Sequence, residues 1–210
     1  MSKLPTSSAT DLTSAQPMTQ SKQLSQWIFN TIRPYLKGRT LEIGSGLGTI
    51  SSIFIENGVN IHLSDGERYH CDLLSEKFNG RPAVRAVHMI DFHHPDFARI
   101  YVESLGPFNT VFAVNVVEHS PADQLTTANA KLLLRKGNLL MLIAPVNTVL
   151  FYGLDQNEEE WERYNFDSVQ KLFGGDFNII KTRYINLAGV LDKPAPDQLG
   201  LSVLAIGQKK

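Results

Sequence analysis

The strongest constraint on the fold is an alternation of β-prone and helical segments that begins at Gly38. Short apolar runs predict strands, and the stretches between them repeat apolar residues at three- and four-residue steps, which predicts helices. Strands and helices that alternate in this way form right-handed βαβ units and a parallel sheet covered on both faces. The predicted strands are 40–44, 59–64, 83–89, 108–114 and 138–146, and the predicted helices are 49–57, 67–78, 94–105 and 121–134.

The carboxyl-terminal part departs from this alternation. A helix is predicted at 166–174, and it is followed by strands at 177–186 and 201–209 with no helix between them. Two such strands pair as a hairpin, so the last strand runs antiparallel to the others. The sequence therefore predicts an α/β fold with a doubly wound, Rossmann-like, seven-stranded sheet, mostly parallel with the last strand antiparallel.

The amino-terminal part precedes the sheet. Residues 1–20 are rich in Ser, Thr, Ala, Pro and Gln without an apolar period, and this composition predicts a disordered tail. Residues 21–37 carry apolar residues at helical spacing behind a capping serine, Ser21, and predict an amphipathic helix. We expect this helix to cover the active site of a single domain at 38–210.

Composition narrows the class of protein. The 210 residues carry a formal net charge of -1, so no excess of basic charge favours nucleic acid. We expect no membrane span, because no apolar run approaches the roughly 18 residues that a bilayer requires. The one cysteine, Cys71, excludes an internal disulfide and is expected to be a buried apolar residue. These features favour a cytoplasmic protein that is a monomer or a homodimer.

A glycine-rich turn, LEIGSGLG from Leu41 to Gly48, follows the first predicted strand. Such a turn brings backbone close to a ligand at the carboxyl edge of the sheet. A nicotinamide or flavin dinucleotide is disfavoured, because Thr49 occupies the sixth position of the required Gly-x-Gly-x-x-Gly pattern. Glu42 would also repel a pyrophosphate, whereas it would favour a ligand with positive charge.

At this point the chain resembles the class I S-adenosylmethionine-dependent methyltransferases, whose first motif runs Asp/Glu-x-Gly-x-Gly-x-Gly. The resemblance covers roughly residues 22–210 and extends to AVNVVEHSPAD and LLLRKGNLLMLIAPV, which match later motifs in order. The segment from Pro145 to Gly189 is similar to a small-molecule branch of the family, of the kind found in secondary metabolism, although it has Arg163 alone where that branch has an arginine pair. The resemblance implies S-adenosylmethionine as cofactor and a small-molecule acceptor.

The resemblance also implies a set of cofactor-binding residues. Asp65, with Glu67 as its rival, would accept from both ribose hydroxyls, and Asp91 would accept from the adenine amino group unless it only caps a polar turn. Phe92 would border the adenine ring, and Asn115 would line the cofactor through its backbone. The complete set is Glu42, Gly44, Ser45, Gly46, Gly48, Asp65, Gly66, Asp91, Phe92 and Asn115.

The acceptor side is predicted from the ends of the fourth and fifth strands. His119 would act as a general base or orient the acceptor, unless it only packs beneath the ligand. Tyr152, Trp161 and Tyr164 flank an acidic connection after the fifth strand and would contact the acceptor. No cluster of Cys and His residues supports a metal site, and His93 and His94 are expected to be solvated.

Three functions remain open at this stage. The motifs favour transfer of a methyl group to an O, N or C nucleophile of a small molecule. A catalytically silent binding protein with the same fold is the first alternative. An NAD(P)-dependent oxidoreductase on a similar sheet is the second, and Thr49 and Glu42 disfavour it.

Overall fold

A computed structural model describes residues 15–117, 123–145, 164–185 and 202–210. The strands are β1 (Thr40–Ile43), β2 (Ile61–Asp65), β3 (Val84–Met89), β4 (Phe108–Val114), β5 (Leu134–Pro145), β6 (Phe177–Ile185) and β7 (Ser202–Lys209). The helices are α1 (Ala15–Ile32), α2 (Thr49–Glu56), α3 (Arg68–Lys77), α4 (Glu103–Leu105), α5 (Asp123–Leu132) and α6 (Phe166–Phe173).

The seven strands form one sheet in the order β3-β2-β1-β4-β5-β7-β6. Strands β1 to β5 pair in parallel, and β7 lies between β5 and β6 and is antiparallel to both. This topology confirms the predicted sheet and its antiparallel last strand. The strand order reverses between β1 and β4, and in sheets of this kind ligands bind in the crevice outside the carboxyl ends of the strands at that point.

Apolar side chains cover both faces of the sheet. In β4, Val111 and Ala113 belong to one buried cluster while Phe112 and Val114 belong to the other. Helices α1, α2 and α3 pack on the Phe112 face, and α5, α6 and the segment that contains Phe97 pack on the opposite face. Because both faces are buried, β4 and β5 contain continuous apolar runs, at 111–114 and 139–144, and these runs could be recognised in the sequence.

Helix α1 differs from its predicted bounds at both ends. It begins at Ala15 rather than at Ser21, so Ser21 lies inside the helix and does not cap it. It ends at Ile32 and continues as a 3-10 turn, Arg33–Tyr35, because Pro34 has no backbone N–H for an α-helical hydrogen bond. Its apolar face packs on α2 through Phe29, whose ring lies edge-on to Phe54 with centroids 5.1 Å apart.

Two other predicted elements have different bounds. The helix predicted at 94–105 is shorter. Residues 94–97 form single hydrogen-bonded turns, and a π-helical turn, Ala98–Val102, then leads into α4. Strand β5 begins four residues before its predicted start, because Leu134 already pairs with Phe108. The pairing then shifts register near Gly137, whose φ of +82° lies in the left-handed region.

Candidate functional site

The glycine turn joins β1 to α2 at the point where strand order reverses. Gly44 and Gly48 have φ values of +68° and +71°, which L residues rarely adopt. A Cβ at Gly44 would lie 2.6 Å from Cγ2 of Val116, and a Cβ at Gly48 would lie 2.8 Å from both Leu74 and Phe78. These two glycines are therefore required for packing against the end of β4 and against α3.

Gly46 has a different environment from the other two glycines of the turn. Its φ is +51°, but a Cβ there would meet no atom within 4 Å. Its amide donates to Oδ2 of Asp65 at 2.9 Å, so the turn is tied to the end of β2. Gly46 thus offers open backbone beside a carboxylate, and that is the kind of surface on which a ligand can be held closely.

Asp65 ends β2, and its carboxylate collects donors from two loops. Besides the Gly46 amide, Oδ1 accepts the amide of Glu67 at 3.0 Å and Nδ1 of His70 at 3.0 Å. The side chain of Asp65 is 11% exposed. Of the two acidic residues considered for the ribose, Asp65 is the one that contacts the glycine turn through its carboxylate.

Glu42 lies inside the molecule, beneath the glycine turn. Only 3% of the residue is exposed, and its Oε2 accepts from the hydroxyls of Ser45, at 3.1 Å, and Ser51. Burial raises the pKa of Glu42 to about 7; the bonds from the two serines lower it, and the negative charge of Asp65 raises it further. Glu42 therefore anchors the turn to α2, and from this position it influences a ligand only through space.

The ends of β2 and β3 lie side by side. A Cβ added to exposed Gly66 would lie 3.8 Å from the carbonyl oxygen of Ile90, which is an ordinary contact. Asp91 is exposed and accepts the amide of His93 at 2.8 Å, so it stabilises a local polar turn. A role in adenine binding stays a prediction.

Phe92 lies in the hydrophobic core beside the turn. It is 6% exposed, and its ring packs 5.1 Å from that of Phe97. Its predicted place at the border of the adenine ring stays a prediction.

Asn115 follows β4 and faces the reversal of strand order. Its φ is +52°, and it is the one non-glycine residue with positive φ among those the structure describes. Its amide donates to the carbonyl of Ile143 at 2.9 Å, and this bond fixes the strained turn beside the end of β5. Asn tolerates this conformation better than most residues, and strain of this kind collects at functional sites.

The acceptor residues are described only in part. His119, Tyr152 and Trp161 lie outside the described residues. Tyr164 is 3% exposed; its amide donates to the carbonyl of Pro145, and its hydroxyl donates to the carbonyl of Val117. Tyr164 belongs to the hydrophobic core and connects the ends of β4 and β5, and a contact with the acceptor stays a prediction.

Several contacts of the site have no counterpart in the sequence analysis. Lys77 donates from Nζ to the carbonyls of Leu47, at 2.8 Å, and Gly48, at 3.1 Å, and partial burial lowers its pKa. Lys77 and His70 are both on α3. Lys77 contacts the turn after β1, and His70 contacts Asp65 at the end of β2. Nothing in their spacing indicates this, because the contact depends on how neighbouring βα units pack. The bond from Ser51 to Glu42 could have been predicted, because a buried carboxylate needs nearby hydrogen-bond donors.

The residues that the structure describes contain neither a cluster that could bind a metal ion nor a helix that could span a membrane. Within residues 15–117, 123–145, 164–185 and 202–210, no group of three or more His, Cys, Asp or Glu side chains is placed to hold a metal ion. In the same ranges, no helix has both the length and the apolar character that a bilayer crossing requires.

Comparison with known proteins identifies the fold. Neither a protein-family profile nor a curated protein sequence matches the chain. Among solved structures, the PH0226 protein of Pyrococcus horikoshii OT3 matches 96% of this chain and 94% of its own, with a TM-score of 0.67 and 13% identity. The magnesium protoporphyrin IX methyltransferase ChlM of Synechocystis PCC 6803, solved with bound S-adenosylmethionine, matches 98% of this chain and 87% of its own, with a TM-score of 0.63 and 12% identity.

A third match is to a longer chain. The CurJ carbon methyltransferase matches 90% of this chain with a TM-score of 0.60 and 17% identity, and this chain spans 54% of its length. At such identities a structural match shows the fold. The strand order, the antiparallel β7 and these matches show that the chain has the fold of the class I S-adenosylmethionine-dependent methyltransferases.

Proposed function

We propose that the protein is an S-adenosylmethionine-dependent methyltransferase that acts on a small-molecule acceptor. The observation that carries this proposal is the open backbone of Gly46 held beside the Asp65 carboxylate, at the reversal of strand order. The matched structures support the cofactor, since ChlM was solved with S-adenosylmethionine bound.

The charges around the turn fit this cofactor better than a dinucleotide. Glu42 lies beneath the turn, so a pyrophosphate would lie over a buried carboxylate, whereas Asp65 at the end of β2 could accept from a ribose hydroxyl of either cofactor. The nearby cation of Lys77 is already bonded to two carbonyl oxygens of the turn. S-adenosylmethionine carries a sulfonium and an ammonium but no phosphate, and these charges are compatible with carboxylates.

The chain's own residues have distinct roles in this proposal. Asp65 accepts from a ribose hydroxyl, and the backbone from Gly44 to Gly48 holds the amino-acid portion. Asp91 accepts from the adenine amino group, and Asn115 lines the cofactor through its backbone. When bound, S-adenosylmethionine supplies a methyl group that is already activated for in-line displacement.

The protein must then align the acceptor and exclude water. Alignment alone contributes about 7–11 kcal/mol to lowering such a barrier. His119 is proposed to take a proton when the acceptor is an alcohol or another weak acid. An amine, carboxylate or stabilised carbanion would require only positioning.

Helix α1 is proposed to cover the acceptor. Its carboxyl end leads to Lys37, whose amide donates to Oγ1 of Thr110 near the start of β4, so this end lies at the amino edge of the sheet. An 18-residue helix is about 27 Å long. We propose that its amino-terminal half extends from there towards the carboxyl edge, where the site lies.

A turnover experiment tests this function. The purified protein is incubated with methyl-labelled S-adenosylmethionine and metabolite extracts, and labelled products are identified by mass spectrometry. The proposal predicts label in a small molecule, and Gly46→Val should abolish it. Binding of S-adenosylhomocysteine without any label transfer would favour the silent binding protein instead.

His119→Ala tests the chemistry separately, once an acceptor is identified. If His119 takes a proton, kcat should fall by about 10²–10⁴ while cofactor affinity is unchanged. The rate inflection near the ordinary pKa of histidine should also disappear. A fall of less than about tenfold with the same pH profile would favour positioning alone.

A further inference from the structure

The histidine on α3 nearest to the glycine turn is bonded to the residue proposed to hold the ribose. His70 Nδ1 lies 3.0 Å from Oδ1 of Asp65, and the same oxygen accepts the amide of Glu67 at 3.0 Å. Oδ2 accepts only the Gly46 amide among the described contacts, at 2.9 Å. Each carboxylate oxygen accepts about two bonds. Oδ1 is therefore saturated, and Oδ2 keeps one free acceptor position.

The direction of the His70 bond follows from the chemistry of its partner. An ionised carboxylate only accepts, so the proton of this bond is on Nδ1 of the ring, whether or not Nε2 is also protonated. The His70 side chain is 32% exposed and that of Asp65 is 11% exposed. Partial shielding of this kind gives a charge-assisted bond more weight than a bond on the open surface.

The position of His70 is itself fixed by packing. Helix α3 lies against the glycine turn, because Leu74 and Phe78 pack where a Cβ at Gly48 would lie. One turn earlier on the same helix, His70 faces Asp65. The packing that requires Gly48 therefore also holds the His70 ring in reach of the carboxylate.

We propose that His70 is a positioning residue for cofactor binding. It holds Oδ1 of Asp65 against α3, so that Oδ2 keeps the Gly46 amide and offers its free acceptor position to a ribose hydroxyl. Loss of this bond lets the carboxylate rotate and lowers affinity for ligands that carry ribose hydroxyls. This inference rests on the proposed function.

The test compares two variants of His70 with a control on the same helix. His70→Ala removes the donor, whereas His70→Asn keeps an N–H donor near the position of Nδ1. Glu76→Ala, at an exposed position of α3, is the control. Binding of S-adenosylhomocysteine, and of its analogue without the two ribose hydroxyls, is measured by calorimetry on the full chain.

We expect His70→Ala to weaken S-adenosylhomocysteine binding by about 10–30-fold, the lower part of the range for a bond to a charged group. His70→Asn should recover most of this affinity, and Glu76→Ala should match the wild type. Binding of the analogue should change less than about twofold in His70→Ala, because the analogue does not use Asp65.

Three results would overturn this proposal. Equal losses for both ligands would mean that His70 only supports the fold, and an unchanged affinity in His70→Ala would mean that it positions nothing. Failure of His70→Asn to recover affinity, while the variant remains folded by circular dichroism, would reject the role of the donated bond. If the wild type itself binds neither ligand, the proposed function fails, and this outcome is distinct from the other three.

Discussion

Alanine substitution at two glycines of one turn should separate packing from ligand binding. Both positions have positive φ, and forcing an L residue into that region costs about 1–2 kcal/mol. At Gly46 this is the whole expected cost, because a Cβ there meets nothing within 4 Å. At Gly48 the Cβ would lie 2.8 Å from Leu74 and Phe78, and such overpacking adds about 1–3 kcal/mol.

The expected free energy of unfolding therefore falls by about 1–2 kcal/mol in Gly46→Ala and by about 2–5 kcal/mol in Gly48→Ala. Urea unfolding monitored by circular dichroism measures both values, and unchanged slopes against urea would show that the compared states are the same. Relative to the stability that each variant loses, the loss of affinity for S-adenosylhomocysteine should be larger in Gly46→Ala than in Gly48→Ala. Equal destabilisation of the two variants, or unchanged affinity in Gly46→Ala, would refute this division of roles.

Three further predictions concern the buried groups and the strained turn. Burial, with help from the charge of Arg39, lowers the pKa of His62 from 6.5 to about 4, so its stabilising effect is present above pH 6.5 and is lost as the pH falls towards 4. In urea titrations at pH 4.5 and 7, His62→Gln should therefore lose about 2–3 kcal/mol less on acidification than the wild type, and an equal loss would reject the neutral state of His62. Burial raises the pKa of Glu42 from 4.5 to about 7, so its contribution to stability is fully present below pH 4.5 and is lost as the pH rises through 7. In the same urea titrations, the free energy of unfolding of Glu42→Gln should therefore fall by about 2–3 kcal/mol more on acidification than that of the wild type. A smaller difference would contradict the raised pKa. Asn115→Gly should raise the free energy of unfolding by up to about 1 kcal/mol by relieving the positive φ, and a loss of stability would show that the Asn side chain stabilises the turn.

The opposite signs at His62 and Glu42 have different structural causes. Arg39 donates from Nε to Nε2 of His62 at 3.1 Å, so this nitrogen must accept and the ring proton lies on Nδ1. Nδ1 in turn lies 2.9 Å from Nε2 of His88, and the pKa of His88 is also lowered by burial. A proton added to this chain of bonds would face the guanidinium, whereas a proton added to Glu42 removes a buried negative charge.

The sheet could be predicted from sequence because its central strands β4 and β5 contain buried apolar runs and its helices have an apolar period. Boundaries were less accessible where one residue overrides the period, as Pro34 does at the end of α1. Strand β5 was predicted to begin four residues too late, since the pairing of Leu134 with Phe108 is a contact between distant segments. Such contacts are not encoded in local spacing.

In the candidate site too, local features could be predicted from the sequence and contacts between distant segments could not. The glycine turn and Asp65 could be predicted, because their residue types follow the ends of strands that a parallel sheet brings to one edge. The burial of Phe92 and Tyr164 could not be predicted, since an aromatic side chain near a turn can pack in the core or line a pocket. His70 could not be predicted, because its bond to Asp65 depends on how α3 lies against the turn.

The central claim is that Asp65 and the glycine turn bind S-adenosylmethionine, and calorimetric titration of S-adenosylhomocysteine and NADH into the wild type and Asp65→Ala tests it most directly. Asp65→Ala removes the proposed bond to the ribose, and loss of a hydrogen bond to a charged group costs about 1.5–3 kcal/mol, or roughly 10–150-fold in affinity. The account predicts saturable binding of S-adenosylhomocysteine to the wild type, this loss in Asp65→Ala, and no binding of NADH. Binding of NADH without S-adenosylhomocysteine would contradict the claim, and equal affinity of the two proteins for S-adenosylhomocysteine would contradict the role of Asp65.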